Sequence, residues 1–275
     1  MSLTLAGHEV DAFSVAGFQT CIELPQLSVA FDMGFCPRTA VERSTVLVSH
    51  THMDHVASIA HHAATRALLG RTPARYVVPR ENVEAVEELF SAYRKLDATD
   101  HPREVVASTP GVEIPLNRDY VVRPFRSPHR VPCTGFALVR RFTKLRPELA
   151  GLSTSEIGRL RREGKEVSIS TEAPEIVYTG DTLIDVLERE EHVRKARLLI
   201  MEVTFVDEVD IEFARARGHV HLDEVAARAD LFENEAILFM HFSARHSKGA
   251  ILRALDEKLP AKLRQRVTPL LSGHA

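Results

Sequence analysis

The chain has 275 residues, 44% of them hydrophobic, enough for one large α/β domain or two small ones with a sizeable core. No stretch approaches the ~20 uninterrupted apolar residues of a membrane span, and MSLTLAGHEV lacks the basic and apolar blocks of a secretory signal. The net charge of −3 does not by itself mark a nucleic-acid binder, and three scattered cysteines without a CxxC pair predict buried thiols in a reducing, cytoplasmic setting.

The first third predicts short strands: EVDAFSVAG, TCIELPQ and LSVAFDMG alternate apolar with polar residues or end at Gly or Pro. TVLVSH predicts a strand and DHVASIAHHAATRALLG a helix closed by Gly70. ARYVVP follows as a strand. ENVEAVEELFSAYRKL is then an amphipathic helix with Val83, Val86, Leu89 and Phe90 on one stripe. VEIPL, YVVRPFRSPH and TGFALVRRF predict strands. RPELAGLSTSEIGRLRREG predicts a helix in its second half, capped by Ser153 or Ser155. Strands at PEIVYTGDT, ARLLIMEVTF, AILFMHFS and RVTPLL then alternate with helices at HLDEVAARADLF and KGAILRALDEKL. Strands dominate the start and alternate with helices later, which predicts two sheets sandwiched between helices rather than one doubly wound sheet.

Charge is uneven along this order. From Arg123 to Lys165, eleven Lys/Arg stand against three Asp/Glu, a local excess of eight on an otherwise acidic body. Such a segment is either the footprint of a polyanion site or a solvated face of unrelated arginines.

The chemistry concentrates at strand ends. SHTHMDH, residues 49–55, follows an apolar strand, and residues two apart on extended chain point the same way, so His50 and His52 can grip one ion. Asp54 and His55 follow where the chain turns into a helix and can face a second ion. Asp181 after IVYTG, His241 after ILFM and His129 after VVRPFRSP occupy equivalent places. Ligands at the ends of separate strands suit a rigid binuclear site, and imidazole with carboxylate suits zinc, with manganese or iron also accepted. Asp32, in the turn after VAF, is a candidate to support the metal histidines. Ser49 and Thr51 are expected to support the loop. His221, two residues beyond His219 at a helix start, is expected at the surface or behind the site, and His61 and His62 as surface or packing residues.

HTHMDH matches the HxHxDH signature of the metallo-β-lactamase fold. YTGDT, MEVTF, GHVHLDEVA and HFSARH together resemble ribonuclease Z, the tRNA 3′-processing endonuclease. TCIELPQLSVAFDMGFCP, YRKLD and ENEAILFMHFSARH resemble the short plant proteins of that family in particular. The resemblance covers essentially the whole chain. It implies an α/β (α+β) fold, a four-layer αββα metallo-β-lactamase sandwich over residues 1–275, with a basic insertion at about 142–170.

It further implies one Zn2+ on His50, His52 and His129, a second on Asp54, His55 and His241, and Asp181 bridging the two. Glu202 and His219 match the pair that handles the leaving-group proton, so the expected catalytic residues are Asp54, Glu202 and His219. Precursor tRNA as substrate, a homodimer and no membrane partner belong to the same expectation. Lys144, Arg159, Arg161 and Arg162 are candidate tRNA contacts in place of the long clamping arm of many bacterial relatives. His246, standing where the family usually has tyrosine, is a candidate altered contact. Two rivals stay open: a hydrolase of this fold acting on a small phosphodiester, ester or thioester, and a silent RNA-binding protein.

Overall fold

The computed structural model describes residues 1–274, so residue 275 of the expected 1–275 span lies outside the described residues. The first sheet runs, in spatial and chain order, β1 (Ser2–Leu5), β2 (His8–Val15), β3 (Gln19–Leu24), β4 (Val29–Phe31), β5 (Thr45–Leu47), β6 (Ala74–Pro79) and β7 (Arg103–Ser108). The second holds β8 (Ile114–Pro115), β9 (Tyr120–Arg126), β10 (Thr134–Leu145), β11 (Ser168–Tyr178), β12 (Leu198–Glu202), β13 (Ala236–Met240) and β14 (Val267–Pro269), again in chain order across the sheet. Each sheet is antiparallel at one side and parallel at the other, from β4 to β7 and from β11 to β14.

The helices cover the outer faces. Against the first sheet lie α1 (Met53–Val56), α2 (Ile59–Leu68) and α3 (Val83–Asp97). Beyond β10 comes α4 (Thr154–Arg162). The second sheet is backed by α5 (Val186–Arg189), α6 (Glu191–Lys195), α8 (Leu222–Ala227), α9 (Lys248–Lys258) and α10 (Ala261–Arg264), and α7 (Ile211–Arg217) precedes α8.

The β12 run LLIME shows why both faces must be covered. Leu198 and Ile200 enter a core between the sheets with Phe31, Leu47, Val77 and Met240, while Leu199 and Met201 enter a second core under the helices. A parallel strand buried on both faces is a continuous apolar run, because period-two alternation then separates two cores instead of core from water. The αββα sandwich follows as expected.

Local expectations hold with amendments. The stretch read as one helix after Asp54 breaks between α1 and α2, where the Ser58 amide donates to the Met33 carbonyl and its hydroxyl to Gly34 O. On α3, Val86 and Phe90 are buried while Val83 and Leu89 are only partly so. Ser153 caps α4 in a reciprocal capping box with Glu156. β1, β7, α5, α6, α7 and α10 have no counterpart among the expected elements. β7 opens on two charged residues and is fully buried at Ser108 alone, so REVVAS lacks the apolar run that marks the inner strands.

Candidate active site

The parallel strands of both sheets end on one rim, and the singled-out residues stand there. Asp32 follows β4, His50 follows β5, Asp181 follows β11, Glu202 closes β12 and His241 follows β13. Gly34 lets the loops meet: a Cβ there would lie 1.8 Å from the Asp54 carbonyl oxygen. Asp32 and His241 both take left-handed backbone, at φ 57° and 59°. Such conformations cost non-glycine residues energy and persist where surrounding bonds impose them.

Ligand-type atoms converge in two groups, each within 4.8 Å: His50, His52, His129 and Asp181, and Asp54, His55 and His241. Asp181 lies between them, with Oδ2 3.6 Å from His50 Nε2 and Oδ1 3.5 Å from His55 Nε2 and 3.6 Å from His241 Nε2. A third group, unanticipated, brings His219 together with Asp181 and His241.

Hydrogen bonds behind these rings decide which nitrogen faces inward. His129 Nδ1 donates to the Gly218 carbonyl at 2.8 Å, and His55 Nδ1 to the Asp32 carboxylate at 2.7 Å. Ser49 Oγ donates to Asp32 at 2.8 Å and so accepts from His50 Nδ1 at 3.1 Å. Thr204 Oγ1 donates to Glu202 at 2.6 Å and so accepts from His241 Nδ1 at 3.1 Å. Four imidazoles are thereby tied at Nδ1 and present Nε2 to the centre, as metal-ligating histidines do. The expected supporting role of Asp32 is seen directly; it also accepts from the Ser49 amide at 2.6 Å and from the Tyr178 hydroxyl.

The centre is shaped for positive charge. His129 Nε2 and Asp181 Oδ1 are buried without hydrogen-bond partners, and His55 Nε2 faces His241 Nε2 at 3.2 Å. Burial opposes charge on His55, yet Asp181 and Asp32 outweigh it and lift the ring to about 10. Burial, then repulsion from His55, holds His50 well below the usual histidine range, leaving a neutral imidazole. Nitrogen and carboxylate donors with orphaned inward atoms fit bound metal.

Beside the centre, His219 Nδ1 lies 2.9 Å from Glu202 Oε1. Burial works against a charged His219, but the attraction and hydrogen bond of Glu202 prevail and raise it to about 9. Glu202 is fully buried and also accepts from the amides of Thr182 and Thr204. Asp54 Oδ2 accepts from the Gly17 amide at 2.8 Å and lies 3.3 Å from His241 Nε2.

The candidate tRNA contacts fall elsewhere. Residues 141–145 of β10 pair with β11 beyond the register shared with β9, so the two strands project as a ribbon carrying α4. Thr134 stands near Ser49 at the site, and Leu145 lies eleven residues on, about 36 Å at ~3.3 Å per residue. Arg159, Arg161 and Arg162 therefore belong to the helix that joins the far ends of β10 and β11, and Lys144 lies over the Phe142 ring at 5.1 Å.

The local charge excess also shrinks. Arg123 and Arg141 are both clamped between Glu113 and Glu172, and Arg146 pairs with Glu166 at 2.8 Å. His246 is a correction: its side chain is 1% exposed and its Nδ1 lies 2.9 Å from Glu208, so it is in the wall and not a surface contact. His221 does cap α8 but is buried, and His62 is buried against the Tyr76 hydroxyl at 2.7 Å. Sequence reasoning passed over Thr204, two residues after Glu202 on the same motif, and Tyr178, the last residue of β11.

Residues 34–242 match the family model described as Beta-lactamase superfamily domain. Arabidopsis thaliana tRNase Z TRZ1 is 37% identical over 275 residues, covering 99% of this chain and 98% of that protein. Among solved structures, the metallo-beta-lactamase fold protein YhfI of Bacillus subtilis superposes with a TM-score of 0.64 at 17% identity, covering 96% of this chain and 97% of that one. The short form of human tRNase Z gives 0.58 at 19% identity, covering 89% and 94%. At such identities the two structures speak for the fold.

Proposed function

The chain belongs to the ribonuclease Z (tRNase Z) family of the β-lactamase superfamily, and from that premise we propose that it is a zinc-dependent endoribonuclease removing the 3′ trailer from precursor tRNA. The observation that carries this reading is the Glu202–His219 pair, 2.9 Å apart, set beside a full ring of metal-type donors. A small-molecule hydrolase of this fold needs the donors but not a dedicated proton source for a ribose oxygen.

His50, His52 and His129 with Asp181 would hold one Zn2+, and Asp54, His55 and His241 with Asp181 a second; manganese or iron accept similar donors. When bound, such a pair supplies Lewis-acid charge at the phosphate's non-bridging oxygens and acidifies a water. The remaining work falls to the chain. His219, tied at Nδ1, offers Nε2 to the departing ribose 3′-oxygen, and Glu202 keeps that ring protonated and oriented. Asp54, held by the Gly17 amide, stays ionised beside His241: burial disfavours its charge, but the His241 bond and His55 outweigh that. The products are a tRNA with a 3′-hydroxyl and a trailer with a 5′-phosphate.

We take residues 1–275 as one catalytic domain whose basic insertion is the ribbon around α4, working as a homodimer in the cytoplasm. Unpaired Cys21, Cys36 and Cys133 accord with a reducing compartment. Among the described residues no helix is long and apolar enough to cross a membrane.

The deciding experiment incubates metal-loaded protein with precursor tRNA carrying a 3′ trailer. Cleavage after the discriminator nucleotide is expected. No cut, together with turnover of a small phosphodiester or thioester, overturns the reading in favour of the small-molecule hydrolase. Charge reversal at Arg159, Arg161 and Arg162 tests the ribbon: tRNA binding should weaken and lose salt dependence, and an unchanged Kd removes the ribbon from the tRNA path.

A further inference from the structure

Two hollows flank the metal-ligand ring. The larger, about 500 Å³, is walled by His129 and carries Arg80, Arg126 and Arg130, with Glu81 its only acidic lining residue. The smaller, about 250 Å³, is lined by His219, Thr204, Phe205 and Arg217. Arg130 borders both, so the hollows open on either side of the same ridge.

The arginines of the larger cleft differ in one respect from three others of the second sheet and its ribbon. Arg123, Arg141 and Arg146 are each matched by glutamates. Arg80, Arg126 and Arg130 are exposed and pair with no carboxylate among the described residues. Three unmatched guanidiniums around a polar hollow suit a phosphodiester backbone, whose oxygens fit the planar donor fork.

The proton donor gives the strand a direction. The leaving oxygen is the 3′-oxygen of the nucleotide upstream of the cut, and its proton comes from His219. That nucleotide therefore sits at the hollow His219 lines, and the chain downstream of the cut leaves by the other. We propose that the Arg80–Arg126–Arg130 cleft is a trailer subsite, binding the sugar-phosphate backbone of the first nucleotides 3′ of the scissile phosphate. This assignment rests on the nuclease reading above.

The test compares precursor tRNAs with trailers of one and six nucleotides, because only the longer supplies phosphates beyond the cut. For Arg80→Gln/Arg126→Gln the ratio of kcat/KM values, six to one, should fall about tenfold relative to wild type. Binding of a 5′-phosphorylated hexanucleotide, read by fluorescence anisotropy, should weaken about tenfold, with a log–log salt slope shallower by about 1.4, two single-strand phosphate contacts. Arg80→Lys/Arg126→Lys keeps the charge and should recover part of both losses. An unmoved ratio, or an equal fall for both substrates, overturns the subsite; the equal fall moves the arginines to the tRNA body. If wild type leaves precursor tRNA uncut, the nuclease reading falls and the subsite with it. If wild type cuts and the ratio stays fixed, only the subsite falls.

Discussion

Glu202→Gln exchanges one oxygen for an amide nitrogen in a side chain that solvent does not reach. Oε1 accepts from Thr182 N at 3.0 Å and His219 Nδ1 at 2.9 Å; Oε2 accepts from Thr204 N at 3.1 Å, Thr204 Oγ1 at 2.6 Å and Val220 N at 3.4 Å. A carboxylate serves both sets. An amide must turn its NH2 toward one of them, and each contains a backbone N–H that cannot accept. One orphaned buried donor costs about 1–3 kcal/mol, which for a chain of this size lowers Tm by about 2–10 °C. His219 also loses the attraction that offsets its burial, and loss of a positioned general acid costs about 10²–10⁴ in rate. The expected result is a kcat on precursor tRNA reduced by about 10² or more at neutral pH, with metal content by elemental analysis unchanged. A kcat within threefold of wild type, or metal lost in step with activity, would refute the role given to this pair.

Other perturbations separate the layers of the site. Thr204→Val removes the hydroxyl that passes the Glu202 charge to His241 Nδ1, so metal affinity in a chelator competition should fall about 10–100-fold. Gly34→Ala forces a methyl against the Asp54 backbone and should cost about 1–3 kcal/mol of stability in urea titrations, with lower metal occupancy. Burial holds His62 down to about 4, below the ordinary 6.5, so its neutral form is the one the fold favours. That contribution is whole above about pH 6.5 and is lost as pH falls toward 4, a difference on the order of 3 kcal/mol. The stability gap between wild type and His62→Asn should therefore narrow from pH 7.5 to pH 4.5, and a gap independent of pH would show that His62 does not titrate this way.

Much of this site is written locally. HTHMDH packs four ligand-type residues into six positions, and apolar runs ending at Asp181 and His241 mark strand ends, because a strand buried on both faces needs an uninterrupted apolar stretch. The sandwich was legible for the same reason. So was Asp32, a lone carboxylate in the turn after VAF. Thr204 and Tyr178 were not, since a threonine or a tyrosine at a strand end has no pattern until its neighbours across the sheet are known.

Charge is where sequence order misleads most. Arg123 and Arg141 count as basic along the chain, yet antiparallel pairing brings them to Glu113 and Glu172, which lie outside the counted segment. Arg80, just after β6, Arg126, at the end of β9, and Arg130, in the loop that follows, pair with no carboxylate among the described residues and come together as the lining of one cleft. His246, polar and next to a ligand motif, turned inward to Glu208. By itself the sequence determined which residue types could bind metal and that two sheets would present them. Which nitrogens face the centre, which arginines stay free and which way a strand could cross the site were decided by tertiary structure. Those depend on hydrogen bonds and ion pairs between segments distant in sequence, and no local period records them.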